Sequence, residues 1–176
     1  MSALKLHIGS RERTEGWKTL DAEPGPDVDF VGDCSDLSRF ADGSVETIYA
    51  SHVLEHVPYQ TRLLATLKEW HRVLVPGGAV MISVPDLEIL CRLFLYPQLD
   101  MDKRFFVMRM MFGGQIDRHD FHCVGLTMEF LDNYLRQAGF TDIARIKNFG
   151  LFADTSAMMF GGVPISLNVA ARKPRA

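Results

Sequence analysis

Three polar positions in the first part of the chain follow short β-type segments, at the point where each segment ends. They are Gly9, Asp21 and Asp33. A glycine lets a ligand approach the backbone because no side chain blocks the way. A carboxylate such as Asp21 can accept both hydroxyls of a ribose, and Asp33 can accept from an exocyclic amino group. In this order the three residues suggest a ligand that contains adenosine, although Asp and Gly also end strands simply because they suit turns.

The segment from Ser44 to Pro85 predicts the frame that positions these residues. It contains a short β-rich run from Val45 to Tyr49, a polar loop, a helix, a Pro-Gly-Gly turn and a second β-rich run from Val80 to Val84. The helix is amphipathic, with apolar residues at helical spacing: Leu63, Leu64, Leu67, Trp70, Val73 and Leu74. Such a β-α-β unit builds a parallel sheet, whose ligands bind beyond the carboxyl ends of the strands. Four polar residues stand at that end: Ser51, His52, Glu55 and His56.

The rest of the chain predicts further elements of an α/β fold. Strands are expected over 4–8, 17–20 and 28–31, one helical turn over 37–40, helices over 86–96, 101–112 and from 127 to a cap at 139, and a final strand pair over 140–146 and 165–172. Residues 148–162 are predicted to form a partly ordered loop. The predicted fold is a Rossmann-like, doubly wound, mostly parallel sheet with an antiparallel last strand, shortened at its N-terminus, in one domain over residues 1–176.

Composition narrows the function classes. The chain has 176 residues, of which 47% are hydrophobic and 23% charged, and its net charge is -3. This charge gives no electrostatic reason to expect nucleic acid or an anionic membrane as a partner. No apolar run reaches the roughly 20 residues of a spanning helix. The three cysteines form no CxxC pair, which favours a reduced, cytoplasmic setting.

Longer motifs carry a family resemblance. The segments are LKLHIGS, GWKTLDA, VGDCSDLSRFADGSVETIYASHVLEHV and LKEWHRVLVPGGAVMISVPDL, with a weaker likeness through LTMEFLDNYLRQAGFTDI. The chain resembles class I S-adenosylmethionine-dependent methyltransferases, and among them the small predicted methyltransferases of the methyltransferase type 11-like group. The resemblance implies S-adenosylmethionine as the cofactor.

The resemblance also implies a role for individual residues. Gly9 matches the first glycine of the loop that holds the methionine part of the cofactor, and Asp21 matches the acid that binds the ribose. Asp33, with the backbone of Cys34, matches the adenine-binding pair. Ser51 matches the position after the fourth strand that faces both cofactor and methyl acceptor.

The first glycine loop departs from the family pattern. The run His7-Ile8-Gly9-Ser10-Arg11 keeps one glycine, and Arg11 stands where another is expected. Its guanidinium could pair with the carboxylate of the cofactor, or it could block the pocket. The predicted function is methyl transfer from S-adenosylmethionine to a small polar acceptor. The alternative is a non-catalytic or regulatory domain of the same fold with a degraded cofactor loop. A nicotinamide-dependent enzyme ranks low because no G-x-G-x-x-G follows the first strand.

The histidines suggest acid-base chemistry more than a metal centre. His52 follows the fourth strand, near the expected methyl group, and is the predicted general base; alternatively it caps its loop. His52, Glu55 and His56 do not form the zinc-peptidase motif, because the glutamate precedes the second histidine. With His119 and His122 a four-group site is conceivable, but loop histidines more often face solvent or substrate. We therefore predict no metal.

The segment from Gly113 to Gly125 is the predicted acceptor-binding loop. Gln115, His119 and His122 are its predicted substrate-binding residues, and the alternative is an ordinary surface loop. The apolar residues between Phe105 and Phe112 are expected to be core or a dimer contact, so a homodimer is left open. The expected partner is a small-molecule substrate.

Overall fold

The structure, a computed structural model, describes residues 4–175. Its strands are β1 (Leu4–Ile8), β2 (Lys18–Asp21), β3 (Phe30–Val31), β4 (Val45–Ser51), β5 (Leu74–Pro85), β6 (Thr141–Arg145), β7 (Met159–Phe160), β8 (Val163–Pro164) and β9 (Ser166–Arg172). Its helices are α1 (Leu63–Val73), α2 (Leu87–Phe94), α3 (Met101–Phe112) and α4 (Met128–Gln137), with 3₁₀ turns at Leu54–His56 and Thr155–Ala157. The predicted domain also includes residues 1–3 and 176, which lie outside the described residues.

Within the described residues, seven strands form one mixed sheet in the order β3-β2-β1-β4-β5-β9-β6. Strands β1 to β5 pair in parallel, whereas β9 runs antiparallel to both β5 and β6. Ile8 of β1 pairs with Leu20 of β2 on one side and with Ala50 of β4 on the other. The carboxyl ends of these strands therefore meet at one edge. The predicted Rossmann-like, mostly parallel sheet with an antiparallel last strand is confirmed.

The helices begin where polar side chains cap them. Asp86 accepts a hydrogen bond from the backbone N–H of Ile89 at 3.2 Å at the start of α2. Thr127 accepts from the N–H of Phe130 at 3.3 Å at the start of α4. Each cap satisfies an N–H group that the first helical turn leaves free. No helix among residues 4–175 has both the length and the apolar character needed to cross a membrane.

One face of the sheet packs against α1 and α4 in the main core. Trp70 of α1 is fully buried there, beside apolar strand residues such as Ile8 and Ile48. The indole N–H of Trp70 donates to the backbone oxygen of Cys34 at 2.7 Å. This bond ties the segment after β3 to the core, and so fixes one wall of the site described below.

The opposite face of the sheet is covered by aromatic side chains. Tyr49 of β4 is fully buried, and its hydroxyl donates to Asp154 at 2.7 Å. Phe149 and Phe152 lie against its ring, with centroids 5.5 Å and 4.7 Å away. Residues 148–162 are therefore more ordered than predicted, because this packing holds a 3₁₀ turn and β7 in place.

His7 lies in this aromatic cluster and should make the protein sensitive to acid. Its ring centroid is 4.1 Å from that of Phe152, and burial lowers the pKa of His7 to about 4, against an opposing effect of Asp154. Because the folded pKa lies below the ordinary value, the stability from neutral His7 is complete above about pH 6.5 and is lost as the pH falls towards 4. The loss should reach about 3 kcal/mol.

Urea denaturation at pH 7 and at pH 4.5 tests this for the wild type and His7→Phe. The free energy of unfolding should fall less between the two pH values in the variant. Replacement of the exposed His119 by glutamine is the control and should leave the fall unchanged. An equal fall in the wild type and His7→Phe would rule out the contribution of His7.

Three local predictions differ from the structure. Residues 37–40 form a turn closed by a bond from the N–H of Phe40 to the oxygen of Leu37, not a helical turn. Strand β3 is shorter than predicted because Thr19 and Asp29 bond to each other's backbone N–H groups through their side chains. The Pro-Gly-Gly segment does not separate helix from strand. It lies within β5 as an irregularity, where the pairing with β4 shifts register.

The apolar side chains of α3 divide between interior and surface. Val107 is buried in a small second cluster with Leu90 and Ile165. Phe105 and Phe112 are 59% and 54% exposed. The helix therefore contributes to a core, as predicted, and the homodimer stays a prediction.

Candidate active site

A cavity of about 1010 Å³ opens at the carboxyl ends of the parallel strands. Successive strands supply its walls: Gly9 and Arg11 after β1, Asp21 to Pro24 after β2, Gly32 to Cys34 after β3, and His52, Val53, His56 and Val57 after β4. The loop after α3 adds Asp117, Arg118, His119, Phe121 and Cys123. A second cavity of about 460 Å³ shares Gly9 and Arg11 and contains Ser51, Phe152 and Asp154. Most of the predicted site residues thus surround one pair of adjoining cavities.

Gly9 lines both cavities and presents only backbone atoms to them. Its φ of 77° lies in the left-handed region that L side chains rarely adopt. A Cβ placed on Gly9 would lie 2.4 Å from Cγ2 of Val53, which is far too close. The N–H of Gly9 donates to the oxygen of Leu20 at 2.7 Å, so the turn is held to β2. Only glycine fits here, and the space above it stays open to a ligand.

Asp21 is held at the cavity by two donors. Its Oδ1 accepts from the N–H of Glu23 at 2.8 Å and from Nε of Arg11 at 3.3 Å. The side chain of Asp21 is 14% exposed and that of Arg11 is 59% exposed. Arg11 therefore neither fills the cavity nor stands free for another carboxylate. It pairs with Asp21 from an exposed position, which leaves its guanidinium able to move.

Asp33 is kept ionised at the rim of the cavity. Its carboxylate accepts from the N–H and hydroxyl of Ser35, at 2.9 Å and 2.8 Å, and from Arg62 at 2.7 Å. Burial alone would raise the pKa of Asp33, but these donors together lower it to about 2. Next to it, the backbone N–H of Cys34 donates to no backbone oxygen within residues 4–175. The pair thus offers an anionic acceptor beside a free donor.

The hydrogen bonds of His52 do not favour the role of general base. Its φ is 55°, and its N–H donates to the oxygen of Ser83 at 2.8 Å. Nε2 lies 3.1 Å from the hydroxyl of Ser166, which itself donates to the oxygen of Thr155, so Nε2 is the donor. Nδ1 lies 3.3 Å from Glu55. Burial lowers the pKa of His52 to about 4. The ring is therefore neutral, engaged at Nε2 and weakly basic, and its catalytic role stays a prediction.

The predicted acceptor-binding loop is shaped around Asp120. Its Oδ1 accepts from the N–H of Gly114 at 3.1 Å, and its backbone oxygen accepts from Gln115 at 2.9 Å. A Cβ on Gly113 would lie 2.3 Å from that oxygen. Tight packing therefore requires the two glycines. Gln115 is exposed on the outside of this turn and lines neither cavity, so the structure does not bring it to the site.

His119 does reach the large cavity, as part of a contact across its mouth. Arg118 donates from Nη2 to Glu23 at 2.7 Å and from Nε to Nε2 of His119 at 2.8 Å. Nε2 of His119 and Oε1 of Glu23 lie 3.1 Å apart and share this guanidinium. The contact ties the loop after α3 to the loop after β2. Sequence reasoning missed Glu23 and Arg62, since no local pattern marks partners that are remote in the chain.

His122 lies away from both cavity linings, beside His56. Their ring centroids are 4.9 Å apart in an edge-on arrangement. Its predicted substrate contact therefore lacks a direct path, whereas its neighbour His56 does line the large cavity.

Residues 10–82 match a sequence family described as "Methyltransferase domain". No curated protein matches the sequence significantly. Solved structures share the fold. A SAM-dependent methyltransferase from Methanosarcina mazei has a TM-score of 0.60 and 16% identity, with 98% of this chain and 92% of that chain covered. A SAM-dependent methyltransferase from Archaeoglobus fulgidus also has a TM-score of 0.60 and 16% identity, with 98% of this chain and 87% of that chain covered.

A third structure is a complex of the Haloferax volcanii methyltransferase activator Trm112 with a methyltransferase. Its TM-score is 0.59 at 15% identity, and 98% of this chain and 83% of that chain are covered. The family match and the common fold agree with the resemblance carried by the sequence motifs. The family match covers residues 10–82, and the structural likeness confirms the predicted fold.

Proposed function

We propose that this protein is a class I methyltransferase that takes its methyl group from S-adenosylmethionine and transfers it to a small polar acceptor. The observation that carries the proposal is the order of Gly9, Asp21 and Asp33 at three successive strand ends along one cavity. In an open α/β sheet these ends form the ligand crevice. Their chemistry, in this order, suits the amino acid, ribose and adenine parts of the donor.

The residues present fit the donor. Asp33 would accept from the adenine amino group while the free N–H of Cys34 donates to a ring nitrogen. Asp21 would accept from the ribose hydroxyls. The methionine part would pass over Gly9 towards the second cavity and Ser51. Gly9 has no Cβ, and a Cβ there would clash with Val53. Arg11 would exchange Asp21 for the carboxylate of the donor, an ionic contact of the same kind.

The size and lining of the cavity support a small polar acceptor. Cavities that hold one drug-sized ligand have volumes of about 300–1,000 Å³. A volume of about 1010 Å³ therefore leaves room for an acceptor beside the donor. His56, Arg118 and His119 also line this cavity, and their nitrogens suit hydroxyl or carboxylate groups.

The chemical step needs little from the protein besides alignment. A lone pair of the acceptor forms a bond to the methyl carbon, and the electrons of the carbon–sulfur bond return to sulfur, which leaves S-adenosylhomocysteine. Holding the two reactants in line supplies much of the acceleration. Since Nε2 of His52 donates to Ser166 and burial makes the ring weakly basic, we assign the acceleration to this alignment. A proton lost by the acceptor would pass to solvent at the open mouth.

One observation favours the alternative, a non-catalytic or regulatory domain. Arg11 stands where a second glycine is expected and contacts the carboxylate that the ribose needs, at 3.3 Å. If this contact does not open, the donor cannot bind in the manner proposed.

Incubation with methyl-labelled S-adenosylmethionine and a small-molecule extract tests the proposed function. We expect label to enter a small polar product, with one S-adenosylhomocysteine released for each methyl group transferred. The Asp21→Asn variant should give neither. A wild-type protein that binds S-adenosylhomocysteine yet transfers no label to any fraction would support the regulatory alternative.

A further inference from the structure

Glu55 carries a buried carboxyl group that lacks a partner. The residue is 1% exposed, and neither carboxyl oxygen has a hydrogen-bond partner among residues 4–175. Nδ1 of His52 lies 3.3 Å from Oε1 but does not form a hydrogen bond with it. Burying an unpaired carboxyl group is costly, so native proteins rarely retain one without a function or a ligand.

Two histidines face this carboxyl group. One side-chain atom each from Glu55, His56 and His122 lies within 4.8 Å of the others. Nδ1 of His56 lies 3.1 Å from the backbone oxygen of Phe121. A carbonyl oxygen can only accept, so Nδ1 carries the proton and Nε2 keeps a free lone pair. A backbone carbonyl that orients a histidine in this way is one of the common second partners of a metal-binding imidazole.

The backbone holds these three side chains together. The oxygen of Glu55 accepts from the N–H groups of Cys123 and Val124, at 2.6 Å and 3.2 Å. The N–H of His122 donates to the oxygen of Phe112 at 3.2 Å. These bonds fix the loop after α3 against the 3₁₀ turn after β4. The segments that carry the cluster are therefore held by main-chain contacts, and none of its three side chains is exposed.

We propose that Glu55, His56 and His122 bind one divalent transition-metal ion. Two imidazoles and a carboxylate suit Zn²⁺ and its neighbours in the first transition series, whereas Mg²⁺ and Ca²⁺ prefer oxygen ligands alone. The sequence predicted no metal because histidines from distant segments had no evident reason to converge. The folded chain brings His122 to Glu55 and His56 and so supplies the convergence.

Three protein ligands leave positions on the ion for another group. His56 lines the large cavity, so an ion bound to it would lie at the cavity wall. Its open position could then take an oxygen of the methyl acceptor, an assignment that rests on the proposed function. The metal site itself does not depend on that function, and its test needs neither donor nor acceptor.

Titration of the metal-free protein with Co²⁺ tests the site, because visible absorption reports nitrogen and carboxylate ligands around this ion. We expect one Co²⁺ per chain, displaced by Zn²⁺ and unaffected by Mg²⁺. Glu55→Gln and His122→Gln should each weaken binding more than about 100-fold, since losing a residue that only orients a ligand already costs 10–100-fold. His119→Gln, an exposed histidine on the same loop, is the matched control and should bind as the wild type does.

Two results would overturn the proposal. One is the absence of a Co²⁺ spectrum in the wild type at millimolar metal. The other is equal weakening by His119→Gln and His122→Gln. Circular dichroism verifies that each variant is folded, and His122→Gln serves if Glu55→Gln is not. A wild type that binds S-adenosylhomocysteine but no Co²⁺ refutes the metal site and leaves the proposed function standing.

Discussion

Replacing Asp21 by asparagine should weaken binding of S-adenosylhomocysteine by about 100-fold or more. A hydrogen bond to a charged group contributes about 1.5–3 kcal/mol, and the carboxylate would accept two from the ribose. Losing both as charge-assisted bonds removes about 3 kcal/mol, which corresponds to roughly 100-fold in affinity. Asparagine keeps an oxygen for the N–H of Glu23, which donates to Oδ1 in the wild type. Equilibrium dialysis with labelled ligand measures the change.

This substitution should change the free energy of unfolding very little. Asp21 forms an ion pair with Arg11, whose side chain is exposed. Ion pairs that reach solvent in this way contribute little to stability. Asp27→Asn is the matched control, because Asp27 also pairs with an exposed arginine, Arg13, at 3.6 Å, and lines neither cavity. Equal affinities of the Asp21 and Asp27 variants would exclude the ribose role.

Replacing Gly9 by alanine should both destabilise the protein and close the cofactor loop. A left-handed φ costs about 1–2 kcal/mol for a residue with a Cβ, and forcing a methyl group into occupied space costs about 1–3 kcal/mol more. We expect the free energy of unfolding to fall by about 3 kcal/mol. Binding of S-adenosylhomocysteine should be lost, because relief of the 2.4 Å contact with Val53 displaces the loop. Urea denaturation and dialysis report the two effects.

Two variants separate the causes of that loss. Gly16 has a φ of 79° and nothing within 4 Å of a Cβ placed on it, so Gly16→Ala should show the backbone cost alone, about 1–2 kcal/mol. Adding Val53→Ala to Gly9→Ala removes the colliding methyl group and should recover part of the binding. Equal effects of Gly9→Ala and Gly16→Ala on the free energy of unfolding and on ligand binding would show that the clash with Val53 does not close the cofactor loop.

Sequence patterns were most informative where a local rule determines the structure. The alternation of Leu4–Ile8 and the amphipathic spacing of α1 follow from strand and helix periodicity, and both elements have the predicted bounds within a few residues. Asp86 and Thr127 begin helices because their short side chains accept from the first turn. The shortened β3 could not be foreseen, since the bonds between Thr19 and Asp29 replace strand pairing only once the two segments lie together.

The same distinction holds for the site. Gly9, Asp21 and Asp33 are predictable because each ends a strand, and the carboxyl ends of parallel strands meet at one edge. The interactions of these residues are not predictable from the sequence. Arg11 on Asp21, Arg62 on Asp33 and the Arg118–Glu23 contact all depend on loop conformations. Loop conformation also explains why Gln115 and His119, four positions apart in the same loop, differ in location. The turn around Asp120 brings His119 to the large cavity and leaves Gln115 outside it.

The proposed function requires that the large cavity holds the adenosyl donor. Calorimetric titration of the wild type with S-adenosylhomocysteine tests that claim without any acceptor. We predict saturable binding of one ligand per chain. Absence of binding at millimolar ligand, from a protein whose circular dichroism shows it to be folded, would contradict it and would mean that Arg11 keeps Asp21 closed to the ribose.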